Sequence, residues 1–299
     1  MDTLGIKKVS KHYGNFTAVD RVSFQVPQGV IYGLLGPNGA GKTSLIRIIN
    51  SITMADEGEI LFCGETLGRE HQAKIGYLPE ERGLYKKMSV QDQLEYLGQL
   101  KGLDAKTVRT RIAEWYAILN MDEWGNKKIE DLSKGMQQKV QFVATVLHEP
   151  QLLILDEPFS GLDPVNTNLL KQEIRRLRAE GTTILFSTHR MEQVEEICER
   201  IALINKGSLV LEGPIADIKQ RYKDFLFEFI FAGDHRPDFS DETIHPSSRE
   251  QGIVLQLESL EQANTRMRQW MDEGYVIHEF REILPSINDI FIKIVTTEA

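Results

Sequence analysis

Gly36-Pro37-Asn38-Gly39-Ala40-Gly41-Lys42-Thr43 stands between an apolar run, IYGLL, and a helix-like stretch, TSLIRIINSI. A glycine-rich turn that leaves a strand and opens a helix is a phosphate cradle. Glycines at 36, 39 and 41 reach backbone torsions closed to other residues, so successive N–H groups can turn inward as an anion nest. The helix adds its positive N-terminal end. Lys42 is placed to reach the β- and γ-phosphates of a nucleotide, and the Thr43 hydroxyl to ligate Mg²⁺. Pro37, Asn38, Ala40 and Ser44 complete the stretch expected to touch nucleotide.

The second half of such a site is LLILDEP at 152–158. Four apolar residues predict a buried strand, and Asp156 at its end can hold a metal's hydration shell opposite Thr43. Glu157 would point to the other side of the strand end and accept a proton from attacking water. A glutamate there separates a hydrolase from a protein that merely holds nucleotide. The plainer alternative is that both carboxylates solvate a strand end before Pro158.

Outward from these stretches, strands alternate with helices. SFQV, VIYGLLG, QLLILDEP, TTILFSTH, ALINKG and SLVLEG read as strands. QDQLEYLGQLKGL and TVRTRIAEWYAILNM carry apolar residues at three- and four-residue spacing within a helical middle section. Helices are also expected from about Pro164 to Glu180 and over MEQVEEICERI. This order predicts an α/β core on a largely parallel sheet. Near Lys219 the character changes. FLFEFIFAG, GIVLQLES and YVIHEFREI read as strands, separated by a polar loop and by a helix that begins at Ser259 with Gln262 as its capping box. A short last helix follows Pro285. The expected division is 1–219, with a helical subdomain over 83–147, and a small α+β domain over 220–299.

The composition, 41% hydrophobic and 26% charged over 299 residues, is that of a globular chain. A net charge of −9 argues against broad nucleic-acid binding, which needs a basic surface. The two cysteines, Cys63 and Cys198, lie outside any metal-ligand spacing and read as buried, reduced thiols. Apolar runs are strand-sized and no signal-peptide core opens the chain, so action at a membrane requires a partner.

LSKGMQQK at 132–139, shortly before LLILDEP, resembles the signature sequence of ABC ATPases. SGLDP at 160–164 resembles that family's D-loop, STH at 187–189 its switch histidine, and Tyr13 in KHYGNFTAVD stands where the family stacks an aromatic ring on adenine. The resemblance covers residues 4–213. It implies an α/β P-loop NTPase with a mixed, mainly parallel core sheet, an antiparallel β subdomain and a helical subdomain, followed here by the small C-terminal α+β domain. It implies ATP and Mg²⁺ as ligands and ATP hydrolysis as the activity. Two copies are expected to pair head to tail, with ATP between the phosphate loop of one and Ser133 and Gly135 of the other. Ser160, Gly161 and Asp163 would report across that interface. Lys42, Glu157 and His189 would form the catalytic group, although a locally satisfied polar residue is the plain alternative for His189. Outside this context, His12, His71, His148, His235, His245 and His278 read as surface or structural.

The expected partner is a separate membrane permease, with the chain cytoplasmic and peripheral on the inner face of the cell membrane. Residues 82–90 (RGLYKKMSV) would line the groove that receives it, with Leu84, Tyr85 and Met88 as apolar anchors or, equally, as core. The ending LPSINDIFIKIV and the PEERGLY context resemble exporters of the ABC-2, sodium-extruding branch. The stripe Phe225, Phe227, Phe229 and Phe231 reads as core or dimer packing. A soluble ABC ATPase acting in translation or DNA maintenance is the alternative function. Such chains usually carry two ATPase halves or a long coiled-coil insertion, and this one has neither. A nucleotide-binding regulator without turnover is a third class, against which Glu157 argues.

One position departs from the family pattern. Glu80 stands where glutamine is usual, and a carboxylate remains a good hard-oxygen ligand for Mg²⁺ while adding negative charge beside phosphates. Glu80 is expected to do the glutamine's job, the alternative being that it weakens or retunes hydrolysis. Turnover by Glu80→Gln decides the matter: a collapse marks a specific need for the carboxylate, and retention marks equivalence of the two ligands.

Overall fold

The computed structural model describes residues 2–81, 83–232, 237, 244–246 and 252–297. Arg82 and most of the polar loop at 233–251, with His235 and the side chain of His245, lie outside the described residues. Two compact units divide between Pro214 and Ile215.

In the first unit, β1 (Asp2–Tyr13), β2 (Phe16–Pro27), β4 (Glu57–Phe62) and β5 (Glu65–Thr66) form an antiparallel sheet of order β2-β1-β4-β5. The core sheet contains β3 (Ile31–Leu35), β6 (Ile75–Leu78), β7 (Leu152–Asp156), β8 (Thr183–Thr188), β9 (Arg200–Asn205) and β10 (Ser208–Pro214), in the order β10-β9-β3-β8-β7-β6. Its pairings are parallel except for the β9–β10 hairpin. Every residue of β3, β7 and β8 is buried, as expected of parallel strands covered on both faces. This is the expected mixed α/β architecture.

Parallel pairing brings the carboxyl ends of β3, β6, β7 and β8 to one edge, where such sheets place their ligands. The phosphate loop leaves β3 into α1 (Lys42–Ile49), Glu80 follows β6, Asp156 ends β7, and His189 follows β8. The site is thus assembled by topology from four separate stretches of chain. Helices α5 (Pro164–Ala179) and α6 (Met191–Ile197) connect the later strands.

The helical subdomain consists of α2 (Val90–Leu100), α3 (Ala105–Leu119) and α4 (Lys134–Val146). Ser89 caps α2 by accepting from the Asp92 amide, and Asp104 caps α3 by accepting from the amides of Lys106 and Thr107. Trp115 of α3 meets Phe142 of α4 edge to face at 5.8 Å.

The second unit holds α7 (Ile215–Arg221), α8 (Leu260–Asp272), α9 (Ile287–Thr297) and an antiparallel sheet of β11 (Leu226–Phe231), β12 (Ile244–Pro246), β13 (Gly252–Gln256) and β14 (Ile277–Ile283), in the order β12-β13-β11-β14. The division falls before α7 rather than after Lys219, because IADIKQR has ordinary composition and hides the boundary. Phe227, Phe229 and Phe231 are core, packed on Ala263 and Trp270 of α8, with Phe229 perpendicular to Trp270 at 4.9 Å. Ser259 accepts from the Gln262 amide while Gln262 accepts from the Glu258 amide, so Gln262 answers the cap from one residue further back. Cys198 is buried, but Cys63 is exposed. It sits in the β4–β5 turn with φ 51°, where the chain reverses at the surface and offers no core to enter.

His148 follows α4, its Nε2 3.2 Å from the Ile75 carbonyl. Burial, reinforced by the charges of Lys101 and Arg111, holds its pKa down to about 4. An unfolded histidine titrates near 6.5. The folded state therefore keeps the full contribution of neutral His148 above that value and loses it as pH falls through 4, a slope worth roughly 2–3 kcal/mol. Urea titrations between pH 7 and 4 are expected to show this loss in the wild type and a flatter profile in His148→Gln.

Candidate nucleotide site

Two glycines show why the phosphate loop has its sequence. Gly36 has φ 149° and Gly41 φ 108°, in the region closed to most residues. A Cβ on Gly36 would lie 2.1 Å from the Ile204 carbonyl oxygen, and one on Gly41 2.2 Å from that of Ala18. The loop therefore packs backbone against backbone on its outer side, leaving its inner side to a ligand. Gly41 also precedes α1 without any side-chain cap, so the first amides of that helix remain available.

A cavity of about 430 Å³ opens over this loop. Asn38, Gly39, Ala40, Gly41, Lys42, Thr43 and Ser44 form one wall, and Glu80, Asp156, Glu157 and His189 face them. Lys42 is buried, and its Nζ donates to the carbonyls of Gly36 at 2.7 Å and Pro37 at 3.1 Å. Burial lowers its pKa, while the carboxylates of Glu157, Asp156 and Glu80 pull the other way. Asp156 is 3% exposed. Its pKa is pushed up to about 6, first by burial and then by the like charges of Glu80 and Glu157, with Ser187 and Lys42 opposing.

Glu157 occupies a left-handed backbone conformation, φ 50°, which is uncommon for a residue with a side chain and belongs with functional turns. Its amide donates to the Ser187 carbonyl. Its carboxylate accepts from the Thr188 hydroxyl at 3.0 Å, the His189 amide at 2.9 Å and His189 Nδ1 at 2.7 Å. The carboxylate is thereby held on the end of β8, and His189, nearly half exposed, is among the residues that line the cavity.

The residues present suit Mg²⁺. Hard oxygen donors converge on the cradle, and a divalent cation would stabilise the Asp156 carboxylate, which burial first and the charges of Glu80 and Glu157 second disfavour. Among the described residues no group of three or more His, Cys, Asp or Glu side chains is close enough to hold a metal alone.

Ser133 and Gly135 do not line this cavity. Ser133 is exposed and caps α4, accepting from the Met136 amide at 3.2 Å. A Cβ on Gly135 would approach the Gly161 carbonyl oxygen to 3.2 Å, so the tip of α4 lies against the turn of Ser160 and Gly161. Asp163 caps α5 by accepting from the Asn166 amide, and that contact lowers its pKa. Tyr13 is absent from the cavity lining, whereas Phe16, its register partner across the β1–β2 turn, is present with Ala18. Sequence reasoning passed over Phe16, although the same hairpin string carries both rings. It also missed Gln138 and Gln141 of α4. Gln138 donates to the Pro158 carbonyl at 2.9 Å, and Gln141 to that of Pro79 at 3.1 Å. Their signal is one helical turn of spacing on the signature helix.

Comparison with known proteins follows the same division of the chain. Residues 19–160 match the ABC transporter family, and residues 213–295 match the ATP-binding protein DrrA1-3-like C-terminal domain. An uncharacterized ABC transporter ATP-binding protein of Bacillus subtilis, YhaQ, is 42% identical over 97% of each chain. The Nod factor export ATP-binding protein I of Ralstonia nicotianae is 36% identical over 70% of this chain and 66% of its own. The solved structure of an ATP-binding subunit of an ABC transporter superposes with a TM-score of 0.70, at 30% identity over 74% of this chain and 93% of its own. The chain belongs to the ABC transporter ATP-binding proteins. It is an ATPase of that family.

The raised pKa of Asp156 has a consequence for stability. Its ionised form is disfavoured in the fold, so stability present below the unfolded value near 3.9 is lost as pH rises through 6. Above that pH the nucleotide-free protein carries a penalty of roughly 2–3 kcal/mol. Asp156→Asn is expected to melt higher than wild type at pH 8 without nucleotide and to lose the stabilisation that MgATP gives the wild type.

Proposed function

We propose that two copies of this chain clasp ATP between them and couple its hydrolysis to a separate membrane permease, in the direction of export. The observation that carries this reading is the separation of two phosphate-binding surfaces. The cradle of Gly36–Thr43 faces Glu80, Asp156, Glu157 and His189 in one cavity, while the exposed Ser133–Gly135 helix tip stands outside it. A second copy, turned head to tail, would bring its own tip to the cradle and close the site. A bacterial ABC transporter cassette of the same fold was solved as a dimer, which supports this arrangement.

The chain's own residues suggest how turnover proceeds. Incoming phosphates compete with the Gly36 and Pro37 carbonyls for the Lys42 ammonium, which swings toward the β- and γ-oxygens. Phe16 and Tyr13, beside the β1–β2 turn, offer rings for the adenine. Thr43, Asp156 and Glu80 hold Mg²⁺, which supplies neutralisation of the phosphate charge. His189 draws the Glu157 carboxylate and orients it, and Glu157 takes the proton of the attacking water. Once the γ-phosphate departs, the bridge between cradle and helix tip is lost and the clasp opens.

A second cavity, of about 340 Å³, supports the permease contact. Tyr77, Pro79, Leu84, Leu97, Leu100 and Ala144 contribute apolar wall, and Gln141 and His148 are also part of the lining. Leu100, which lines this cavity, is more than half exposed, as is Tyr85 beside Leu84 in the chain. Gln141 joins this groove to the Glu80 loop through Pro79, so an occupant could be felt at the metal position. No described helix is long and apolar enough to cross a membrane, so a membrane function would need such an occupant. Export, and a place on the inner face of the membrane, rest on relatives named for Nod factor export and linearmycin resistance.

The clasp is tested with Glu157→Gln in MgATP. Glu157→Gln is expected to retain MgATP through gel filtration and to lose it when Ser133→Arg is added, and Ser133→Arg in the otherwise native chain is expected to lower ATPase turnover by about a hundredfold or more. Normal turnover by Ser133→Arg would refute the shared site.

A further inference from the structure

The last strand of the second unit reads Ile277-His278-Glu279-Phe280-Arg281-Glu282-Ile283 and lies at the edge of its sheet. Its inner edge pairs with β11, and among the described residues no strand pairs with its outer edge. An open edge presents unpaired amides and carbonyls to any strand of suitable register, and proteins usually blunt it.

The sequence of this edge is its own complement. When a second copy of β14 is laid antiparallel with a two-fold axis through Phe280, Glu279 faces Arg281, Phe280 faces Phe280, and His278 faces Glu282. Moving the axis to Glu279 sets that carboxylate against itself, and moving it to Arg281 sets guanidinium against guanidinium. Like charges directly opposite one another destabilise a strand pair, so these alternatives are disfavoured. Same-face pairing across a two-fold axis permits only such whole steps of the axis. Among the axes through the three central residues of the strand, Glu279, Phe280 and Arg281, the register centred on Phe280 therefore remains.

The side chains stand correctly for it. Arg281 shares a face with Glu228 of β11, donating to it at 2.6 Å. Glu279 lies opposite Ile230 on that same face, two residues away. Each Glu279 would then meet a guanidinium already fixed by a buried carboxylate, with further N–H donors to give. Phe280 lies on the other face, against Phe227 at 5.9 Å and Phe229 at 5.0 Å, so its ring is positioned before any partner arrives. The irregularity at His278, where the register with β11 shifts, confines regular pairing to the stretch that begins at Glu279. It limits the seam to a short overlap and discourages open-ended strand addition.

We infer that the outer edge of β14 is a docking surface for β14 of a second copy, joining two C-terminal units into one continuous antiparallel sheet. The contact is isologous, so it closes at two copies and forms no filament. It needs no nucleotide and differs from the ATP clasp proposed above. Its consequence is a tether: when the clasp opens after hydrolysis, the two ATPase units stay together at high effective concentration.

The full chain, in a Cys63→Ser background, is the material for the test. Opposed residues of an antiparallel pair lie about 4.5–5.5 Å apart at Cα, within the reach of a disulfide. Phe280→Cys is expected to cross-link two chains under mild oxidation without nucleotide, and Val276→Cys, outside the strand, is expected not to. Glu279→Arg sets like charges opposite at both symmetric positions and is expected to weaken nucleotide-free self-association about tenfold, with circular dichroism confirming its fold. Cross-linking through Phe280→Cys reads the register directly, and its absence overturns the inference, whatever the oligomeric state. If Glu157→Gln fails to retain MgATP through gel filtration while the Phe280→Cys cross-link forms, the clasp falls and the strand seam stands; the reverse result removes the seam alone.

Discussion

The ammonium of Lys42 is the charge on which the site depends. It is buried, which costs free energy, and two carbonyls and three carboxylates hold it in place. Those carboxylates repel one another, and burial first and their like charges second raise the pKa of Asp156. Neither sign of charge is comfortable there without the other, and neither is fully satisfied. A polyphosphate with a divalent cation relieves both, since it offers anions to the lysine and a cation to the acids. The cradle is thus a stored demand for its ligand, built on glycine turns that leave no room for a side chain on their outer side.

Helix α4 connects that demand to the rest of the unit. Its tip carries Ser133, one turn along Gln138 holds the turn after Glu157, and Gln141 holds the turn before Glu80. The element proposed to serve a neighbour's nucleotide therefore also braces the two turns that carry acids of its own site. Rigid-body movement of the helical subdomain would strain both buried amide contacts, and a buried amide left unpaired is costly.

Much of this was legible in the residues. The phosphate loop announces itself because its backbone excludes everything but glycine at the crowded positions, and buried parallel strands read as unbroken apolar runs. The capping box at Ser259 was visible for the same reason, since its hydrogen bonds are local. Other features depend on contacts far apart in sequence. Phe16 could not be preferred to Tyr13 before the β1–β2 register was known. Gln138 and Gln141 resemble any polar residues on a helix until Pro158 and Pro79 are folded against them. The left-handed backbone at Glu157 has no signature, because the side chain that ordinarily opposes such a torsion is the one retained. Cys63 looked like core from its residue type and is exposed because the chain turns there.

The close approach of Gly135 to Gly161 carries one more implication. A signature tip seated, as proposed, on a neighbour's γ-phosphate would press, in its own chain, on a turn whose amide at Ser160 bonds the Glu157 carbonyl. Occupancy of one catalytic centre would then be transmitted by solid contact to the nucleophile-activating residue of the other. In the proposed pair, two such centres would not fire as independent clocks; their waiting times would be correlated, and the assembly would behave as one engine with two chambers.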